Sequence, residues 1–373
     1  MIRRRFLENS SVLLSASALA AAPGAAGQPQ KPSRKYRLVA TEEAFATQEQ
    51  ADFFRNAKDS VWNDPDVDLW RHFLGSEVLM RRLLDVDQER ISIMDQAGVD
   101  MHVLSLTSPG VQCLDADAGT ALATLANDQL AETIKRHPTR YAGLASFAPQ
   151  DPARAAKEID RAINRLKLNG LIVNSSTNNE YLDNPKFRPI FEAVTATGAA
   201  LYIHPRNLPE PAAELLKADV NLWSAMWGFQ VETGIHAMRL ILSGVFDDFP
   251  NLKVVLGHMG EGLPYWLYRL DFMHGRVRIG FDRPKLKLTP SEYIKRNFYI
   301  TTSGMNWEPT LKFCIEVLGA DRIMWAIDYP YQDHEDAVEF MDAARISEKD
   351  KRKIYHENAE RVFKIKRAKP GNK

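Results

Sequence analysis

The chain has 373 residues, and its 48 lysines and arginines balance 48 aspartates and glutamates, so the formal net charge is zero. A neutral chain lacks the basic excess that nucleic-acid-binding and membrane-surface proteins use to meet phosphates, so neither kind of partner is expected. Its 45% hydrophobic residues allow a large core, whereas two cysteines are too few for a disulfide framework or a cysteine-rich zinc site.

Residues 1–27 have the order of a secretory signal peptide. A basic start is followed by an apolar, small-residue stretch that is too short for a membrane span, and then by Pro23. The run Arg3-Arg4-Arg5-Phe6-Leu7 matches the R-R-x-F-L core of a twin-arginine signal. We therefore expect export by the twin-arginine machinery to the periplasm, a polar spacer over 28–35 and no membrane span in the mature protein. A basic, disordered tail is the alternative.

From residue 36 onward, short apolar runs alternate with longer segments of helical periodicity. Eight runs are predicted to be strands, at residues 37–41, 100–106, 141–147, 170–175, 200–204, 253–257, 298–302 and 322–327. Strands that are apolar throughout are covered on both faces, so this alternation predicts a single (β/α)8 barrel over 36–373. A doubly wound open sheet is the alternative, but no G-x-G-x-x-G turn follows the first strand.

The stretch between the first two predicted strands is longer than an ordinary strand-to-helix connection. It covers residues 45–90 and includes the run VWNDPDVDLWRHF at 61–73. Long connections in compact domains are usually functional. The sequence therefore predicts an insertion that covers the barrel mouth.

Charged and imidazole side chains stand at the ends of four predicted strands. Glu42 follows the first strand, His204 ends the fifth, His258 follows the sixth and Asp328 follows the eighth. The active sites of such barrels are built at the carboxyl ends of the strands. Because desolvating such groups alone costs several kcal/mol, a shared metal ion is a physical reason for this arrangement.

Each of these residues also has a structural interpretation when it is taken alone. A histidine at a strand end can be a hydrogen-bonded core residue, and Asp328 can cap the helix that follows. Four such residues at four ends of one barrel favour a metal site. On that hypothesis Glu42, His204 and Asp328 supply two anionic oxygens and one nitrogen, and His258 is a further ligand or an acid–base group.

The motifs around these residues resemble the metal-dependent decarboxylase branch of the amidohydrolase superfamily. That branch includes γ-resorcylate and 2,3-dihydroxybenzoate decarboxylases and, more distantly, aminocarboxymuconate-semialdehyde decarboxylase. The sequence is most similar to 5-carboxyvanillate decarboxylase. The resemblance spans the mature chain through the motifs ATEEAFAT (40–47), LTSPGVQ (106–112), YIHPRN (202–207), GHMGEGLPYWLYRLD (257–271), TTSGMNWEP (301–309) and IDYPYQ (327–332).

The resemblance implies one divalent metal, manganese or zinc, held by Glu42, His204 and Asp328. Hydrolytic members of the superfamily have H-x-H after the first strand, and here Glu42 and Ala44 take those two positions. The oxygen-rich set favours Mn²⁺. The chemistry that the resemblance implies begins with an aromatic acid that chelates the metal through its carboxylate and ortho-phenolate oxygens. The ring carbon is then protonated and CO2 is lost.

The resemblance also implies roles for individual residues. Asp328 is the proton donor, and His258, oriented by Glu261, handles the phenolic proton or stabilises charge. Arg269 and Tyr331 match substrate-contacting residues, and in some relatives the arginine acts across a subunit interface, so a homodimer or homotetramer is expected. An ion pair with Asp271 is the alternative for Arg269. Relatives also use an arginine in the insertion, for which Arg71 is the candidate here.

Two other functions are compatible with the same scaffold. One is a metal-dependent hydrolase or hydratase that acts on a lactone or a ring-cleavage product. The other is a non-catalytic binding protein of an export pathway. The EEA motif in place of H-x-H argues against the hydrolase, because it removes half of a binuclear metal site. The complete set of four strand-end residues argues against the binding protein.

Overall fold

The computed structural model describes residues 34–56, 66–217, 222–276 and 285–366. The predicted signal peptide and all but the last two residues of the predicted spacer lie outside these ranges. Residues 61–65, the first part of the VWNDPDVDLWRHF run, lie outside them as well. None of the described helices is long and apolar enough to cross a membrane.

Eight parallel strands form one sheet in which neighbours in sequence are neighbours in space. Backbone bonds from Thr41 N to Trp325 O (3.1 Å) and from Ala44 N to Tyr329 O (2.7 Å) link the first strand to the segment after the last. The predicted (β/α)8 barrel is confirmed. The strands are β1 (Val39–Phe45), β2 (Met101–Leu106), β3 (Tyr141–Ser146), β4 (Gly170–Asn174), β5 (Ala200–His204), β6 (Lys253–Leu256), β7 (Phe298–Thr301) and β8 (Ile323–Met324).

Helices separate all consecutive strands. The described helices are α1 (Gln48–Arg55), α2 (Val67–Gly75), α3 (Glu77–Leu84), α4 (Glu89–Ala97), α5 (Ala116–Arg136), α6 (Pro152–Asp160), α7 (Arg188–Thr197), α8 (Glu214–Lys217), α9 (Gly228–Leu242), α10 (Val245–Asp248), α11 (His258–Glu261), α12 (Leu263–His274), α13 (Pro290–Asn297), α14 (Glu308–Leu318), α15 (His334–Ala343), α16 (Glu348–Arg352) and α17 (Asn358–Val362).

Two strands, β1 and β8, differ from the prediction by more than one residue at an end, and β1 begins at Val39 rather than at residue 37. β1 continues to Phe45, so Glu42 lies within the strand, next to a register shift between Ala40 and Glu43. β8 has only two residues. It ends early because the next backbone N–H groups bond outside the ladder: that of Trp325 donates to Ile354 O, that of Ala326 to Thr302 Oγ1 and that of Ile327 to Glu43.

The core has two layers, because alternate side chains of each strand point to opposite faces. The larger layer fills the space between strands and helices. The smaller lies inside the barrel and includes Met101, Val103, Tyr202 and Val255, with Phe363 after α17 packed against it. The carboxyl end of the barrel carries polar side chains instead.

Residues 45–90, predicted as an insertion, hold α1, α2, α3 and the first residues of α4 in their described part. Their small core is built on Phe54 and Trp70, whose ring centroids are 4.4 Å apart. Trp70 Nε1 donates to Ser108 O at 3.2 Å, beyond the end of β2. At the start of α2, Asp66 accepts from Arg206 Nε (2.5 Å) and from Asn207 N (2.8 Å) after β5. These contacts hold the segment over the loops at the carboxyl end of the barrel.

Candidate active site

Glu42 is buried inside the barrel, with 3% of its surface exposed. Three hydroxyl groups donate to its Oε2 atom: Thr301 Oγ1 at 2.8 Å, Tyr202 Oη and Ser303 Oγ. Its Oε1 atom is also buried, but no described residue donates to it. Leaving a buried anionic oxygen unpaired is costly, so a positively charged group is expected beside Oε1.

Two imidazole nitrogens face this unpaired oxygen. His204 Nε2 lies 3.9 Å and His258 Nε2 lies 3.8 Å from Glu42 Oε1. His258 Nε2 is also 3.8 Å from Asp328 Oδ2. Two ligands that each lie about 2.1 Å from one ion are at most about 4.2 Å apart, so these separations leave room for one ion.

The four side chains surround a space without closing on it. Among the residues that the structure describes, no three His, Cys, Asp or Glu side chains already stand at coordinating separation. The arrangement is therefore a set of converging donors, and its anionic and imidazole atoms are of the kinds that bind divalent metals.

His204, the last residue of β5, is oriented through its other ring nitrogen. His204 Nδ1 lies 2.8 Å from Pro205 O. Because a carbonyl oxygen only accepts, Nδ1 carries a hydrogen, and Nε2 is the ring nitrogen that faces Glu42. This is the orientation that a histidine needs to bind a metal through Nε2.

His258 begins α11, a single turn of left-handed backbone. The φ angles are 47° at His258, 55° at Met259 and 54° at Glu261, and both Gly260 and Gly262 have a φ of 76°. Such angles cost roughly 1–2 kcal/mol for each residue other than glycine. The turn places His258 Nδ1 2.7 Å from Glu261 Oε1. Glu261 therefore fixes the imidazole so that Nε2 faces Glu42 and Asp328.

The charges in this cluster shift the pKa values of its members. Burial favours a raised pKa for Glu42, but the imidazoles of His258 and His204 and the hydroxyl donors outweigh it, so this pKa is lowered. Burial raises the pKa of Asp328, and the nearby His258 imidazole offsets this only partly. Burial opposes charge on His258, yet Glu261 and Glu42 raise its pKa well above the ordinary value. Glu42 thus stays ionised, whereas Asp328 takes up a proton more readily.

Four residues of the site were not predicted from the sequence. Tyr202, Thr301 and Ser303 bind Glu42, and Glu43 accepts from two backbone N–H groups beside Asp328. Burial raises the pKa of Glu43 to about 8. Tyr202 stands two residues before His204 on β5 and so shares its face, which is a signal that the sequence did contain.

Of the predicted substrate-binding residues, Tyr331 lies near Asp328, whereas the two arginines are exposed. Tyr331 follows Asp328 by three residues, and its ring lies 5.5 Å from that of Phe73 on α2. Arg71 lies exposed on the same helix. Arg269 is exposed on α12, and the carboxylate of Asp271, the alternative partner, accepts from Ser291 N and Oγ at 2.9 and 2.6 Å. The structure thus brings Glu42, His204, His258, Glu261 and Asp328 together and leaves both arginines on exposed helix surfaces.

Known proteins with similar sequences and structures are aromatic-acid decarboxylases. γ-Resorcylate decarboxylase from Polaromonas sp. is 37% identical over 337 residues, which cover 88% of this chain and 99% of that protein. 5-Carboxyvanillate decarboxylase from Sphingomonas paucimobilis has 50% identity and a TM-score of 0.85, covering 89% of this chain and all of that one. The 5-carboxyvanillate decarboxylase from Novosphingobium aromaticivorans was solved with manganese and 4-hydroxy-3-methoxy-5-nitrobenzoic acid. It has 43% identity and a TM-score of 0.84, covering 89% and 97% of the two chains.

The match also extends to the family profile. The profile of the family described as Amidohydrolase matches residues 66–365, from the start of α2 to the segment after α17. These similarities confirm the relationship that the motifs predicted. The chain belongs to the amidohydrolase family, in its branch of aromatic-acid decarboxylases.

Proposed function

We propose that this protein is a metal-dependent carboxy-lyase that removes the carboxyl group of a hydroxylated aromatic acid without oxidation. The observation that carries this proposal is the buried, unpaired Oε1 atom of Glu42, faced by Nε2 of His204 and His258. The manganese and the nitrobenzoic acid in the Novosphingobium relative are of the metal and ligand classes that such a site would take.

The residues present fit one divalent ion. Glu42, His204 and Asp328 would hold it, and their two carboxylates would balance its charge. Mn²⁺ is favoured over Zn²⁺ because oxygen donors outnumber nitrogen donors in this set. Ala44 stands where the hydrolytic members of the family have the second histidine of H-x-H, so a single ion is expected, and hydrolysis by a metal pair is disfavoured.

Asp328 is the proton donor in this proposal. When bound, the ion supplies a Lewis acid that holds the substrate through its carboxylate and ortho-phenolate oxygens. Asp328, in its protonated form, would give its proton to the ring carbon that bears the carboxylate. The bond between that carbon and the carboxylate then breaks, CO2 leaves, and the electron pair restores the aromatic ring.

His258 and Glu261 form a charged pair beside the substrate. Glu261 accepts from His258 Nδ1 at 2.7 Å, so Nε2 faces the same space as Asp328. The Glu261 carboxylate stabilises the imidazolium of His258, and this imidazolium would stabilise the negative charge on the phenolic oxygen of the substrate. The left-handed backbone of α11 is strained, and this strain is accepted because the turn places His258 and Glu261 side by side.

We also propose a homodimer as the assembled form, with a homotetramer made of two such dimers as the alternative. The α12 helix exposes Tyr265, Trp266 and Tyr268 by 72%, 52% and 79%. The ring of Phe313 on α14 lies 6.1 Å from that of Tyr265 and extends the same apolar surface. Apolar surfaces of this kind mark contacts between proteins. Such an interface would carry Arg269 to the partner subunit, where it would bind a second carboxylate of the substrate beside Tyr331 and Arg71.

For its location we propose the periplasm, reached by the twin-arginine route. The support is the order of residues 1–27 and the run Arg3-Arg4-Arg5-Phe6-Leu7.

Decarboxylase activity is tested by measuring CO2 release from a panel of hydroxylated benzoates with Mn²⁺-loaded protein. Acids with a phenol ortho to the carboxylate should release CO2. Asp328→Asn should lower kcat by about 100- to 10,000-fold, because it removes the proton donor. Asp333→Asn, at an exposed site five residues away, is the matched control. Hydrolysis of a lactone without CO2 release from any acid would favour the hydrolase alternative.

Gly257→Ala tests the position of Glu42. A Cβ atom on Gly257 would lie 2.9 Å from Glu42 Oε1, and the hydroxyl groups on Oε2 keep the carboxylate from moving aside. We expect Mn²⁺ binding, followed by electron paramagnetic resonance, to weaken by about tenfold or more. Gly75→Ala is the control, since a Cβ there meets nothing within 4 Å. Equal Mn²⁺ affinity in both variants would contradict the proposed site.

Arg269→Ala should raise KM by about 10- to 100-fold for a substrate with a second carboxylate and leave KM for a monocarboxylic acid almost unchanged. Lys295→Ala, which removes an exposed cation from the neighbouring helix α13, is the control.

Light scattering should give the mass of a dimer or a tetramer for wild type and both variants. A monomeric wild-type protein would contradict the interface role.

Export is tested by fractionating bacteria that produce the full chain. Replacing both Arg3 and Arg4 by lysine should keep the protein in the cytoplasm. Arg5→Lys changes the variable position of the motif and should leave periplasmic accumulation intact. Equal periplasmic amounts of all forms would rule out the twin-arginine route.

A further inference from the structure

Asp328 is held in a backbone conformation that its own side chain does not favour. Its φ angle is 77°, in the left-handed region that glycine tolerates and other residues rarely adopt. The carboxylate oxygen Oδ2 nevertheless stands 3.8 Å from His258 Nε2, facing the metal-ligand space. Residues in such conformations persist only when the surrounding structure fixes them. Other groups must therefore fix the backbone at residues 327–329, the turn that contains Asp328.

Two successive glutamates of β1 hold three successive backbone N–H groups of the turn. Ile327 N donates to Glu43 Oε1 at 3.0 Å, and Tyr329 N donates to Glu43 Oε2 at 3.1 Å. Between them, Asp328 N donates to the backbone oxygen of Glu42 at 3.1 Å. Both oxygens of one side chain thus bracket Asp328. No β8 ladder exists at this point, so these bonds take its place.

The Glu43 bracket, in which the two carboxylate oxygens accept from the N–H groups on either side of Asp328, is fully buried. Glu43 has no exposed surface, and neither has Arg90 on α4 behind it. Arg90 Nη2 donates to Ala44 O at 2.7 Å, and its guanidinium carbon lies 4.7 Å from the centre of the Tyr329 ring. Burying a carboxylate and a guanidinium is costly, and an apolar pair of similar size would serve packing alone at least as well. A requirement for two hydrogen-bond acceptors at this point explains why a glutamate stands here.

We propose that Glu43 is a positioning residue that sets the conformation of Asp328 for metal binding and proton transfer. Neighbouring residues of a strand point to opposite faces, and so Glu42 turns its side chain into the barrel while Glu43 turns outward to the turn. The two glutamates of the EEA motif have separate tasks: the first is a ligand, and the second orients another ligand. This inference rests on the proposed metal site.

Glu43→Gln is the primary variant. The amide keeps the shape but replaces one acceptor by an NH2 group that faces a backbone N–H, so one side of the bracket is lost. We expect Mn²⁺ affinity to fall by about 10- to 100-fold, the range seen when groups that orient metal ligands are changed. We also expect kcat to fall with little change in KM. A crystal structure of the metal-free variant should show Asp328 with its φ angle changed or its carboxylate turned away.

A double variant separates positioning from general stabilisation. If Glu43 acts through Asp328, the Glu43→Gln/Asp328→Asn protein should bind Mn²⁺ no more weakly than Asp328→Asn alone. A merely structural role would give additive losses. Glu43→Asp, which keeps the carboxyl group but is one methylene too short to reach both N–H groups, should show a smaller loss and serves if Glu43→Gln does not fold.

Glu232→Gln is the matched control. Glu232 is also fully buried, and burial raises its pKa to about 8, as for Glu43, but its carboxylate accepts from Ser175 and Thr233 instead. It should keep wild-type Mn²⁺ affinity. Wild-type affinity in Glu43→Gln, or additive losses in the double variant, would overturn the inference while leaving the proposed function intact. Failure of the wild-type protein to bind Mn²⁺ would overturn both.

Discussion

Glu42 carries a buried carboxylate whose two oxygens have opposite surroundings. Oε2 is saturated by hydroxyl groups from Tyr202, Thr301 and Ser303, whereas Oε1 has no donor among the described residues. The hydroxyls fix the carboxylate and help to keep it ionised, which leaves Oε1 as an anionic atom in a place that water does not readily reach. A divalent cation beside Oε1 would neutralise its charge, and the imidazole nitrogens that face Oε1 would bind the same ion.

The barrel delivers these groups from strands that are distant in sequence. Ser303 and Glu42 are 261 positions apart, yet β1 and β7 bring them into contact through the inside of the barrel. Left-handed backbone then makes the final adjustment at His258 and at Asp328, the two places where an ordinary strand end would aim the side chain elsewhere. Glu261 and Glu43 hold these two strained segments by hydrogen bonds. Hydrogen bonds to Glu261 and Glu43 thus offset the backbone strain at His258 and Asp328.

Much of this arrangement could be predicted from the sequence. The eight strands appear as apolar runs, and Glu42, His204, His258 and Asp328 stand out because each interrupts or ends one. The hydroxyl residues could not be predicted as readily, since serine, threonine and tyrosine are common in strands and only the closed barrel brings them to Glu42. The early end of β8 was also missed, because its ladder is replaced by the side chains of Thr302 and Glu43.

On this proposal one ion binds among Glu42 Oε1, His204 Nε2 and a carboxylate oxygen of Asp328. Its position can be measured by diffraction from crystals soaked in Mn²⁺, recorded on both sides of the manganese absorption edge. We expect one anomalous peak per chain, about 2.0–2.2 Å from all three atoms. A peak elsewhere, or none at full Mn²⁺ exposure, would contradict it.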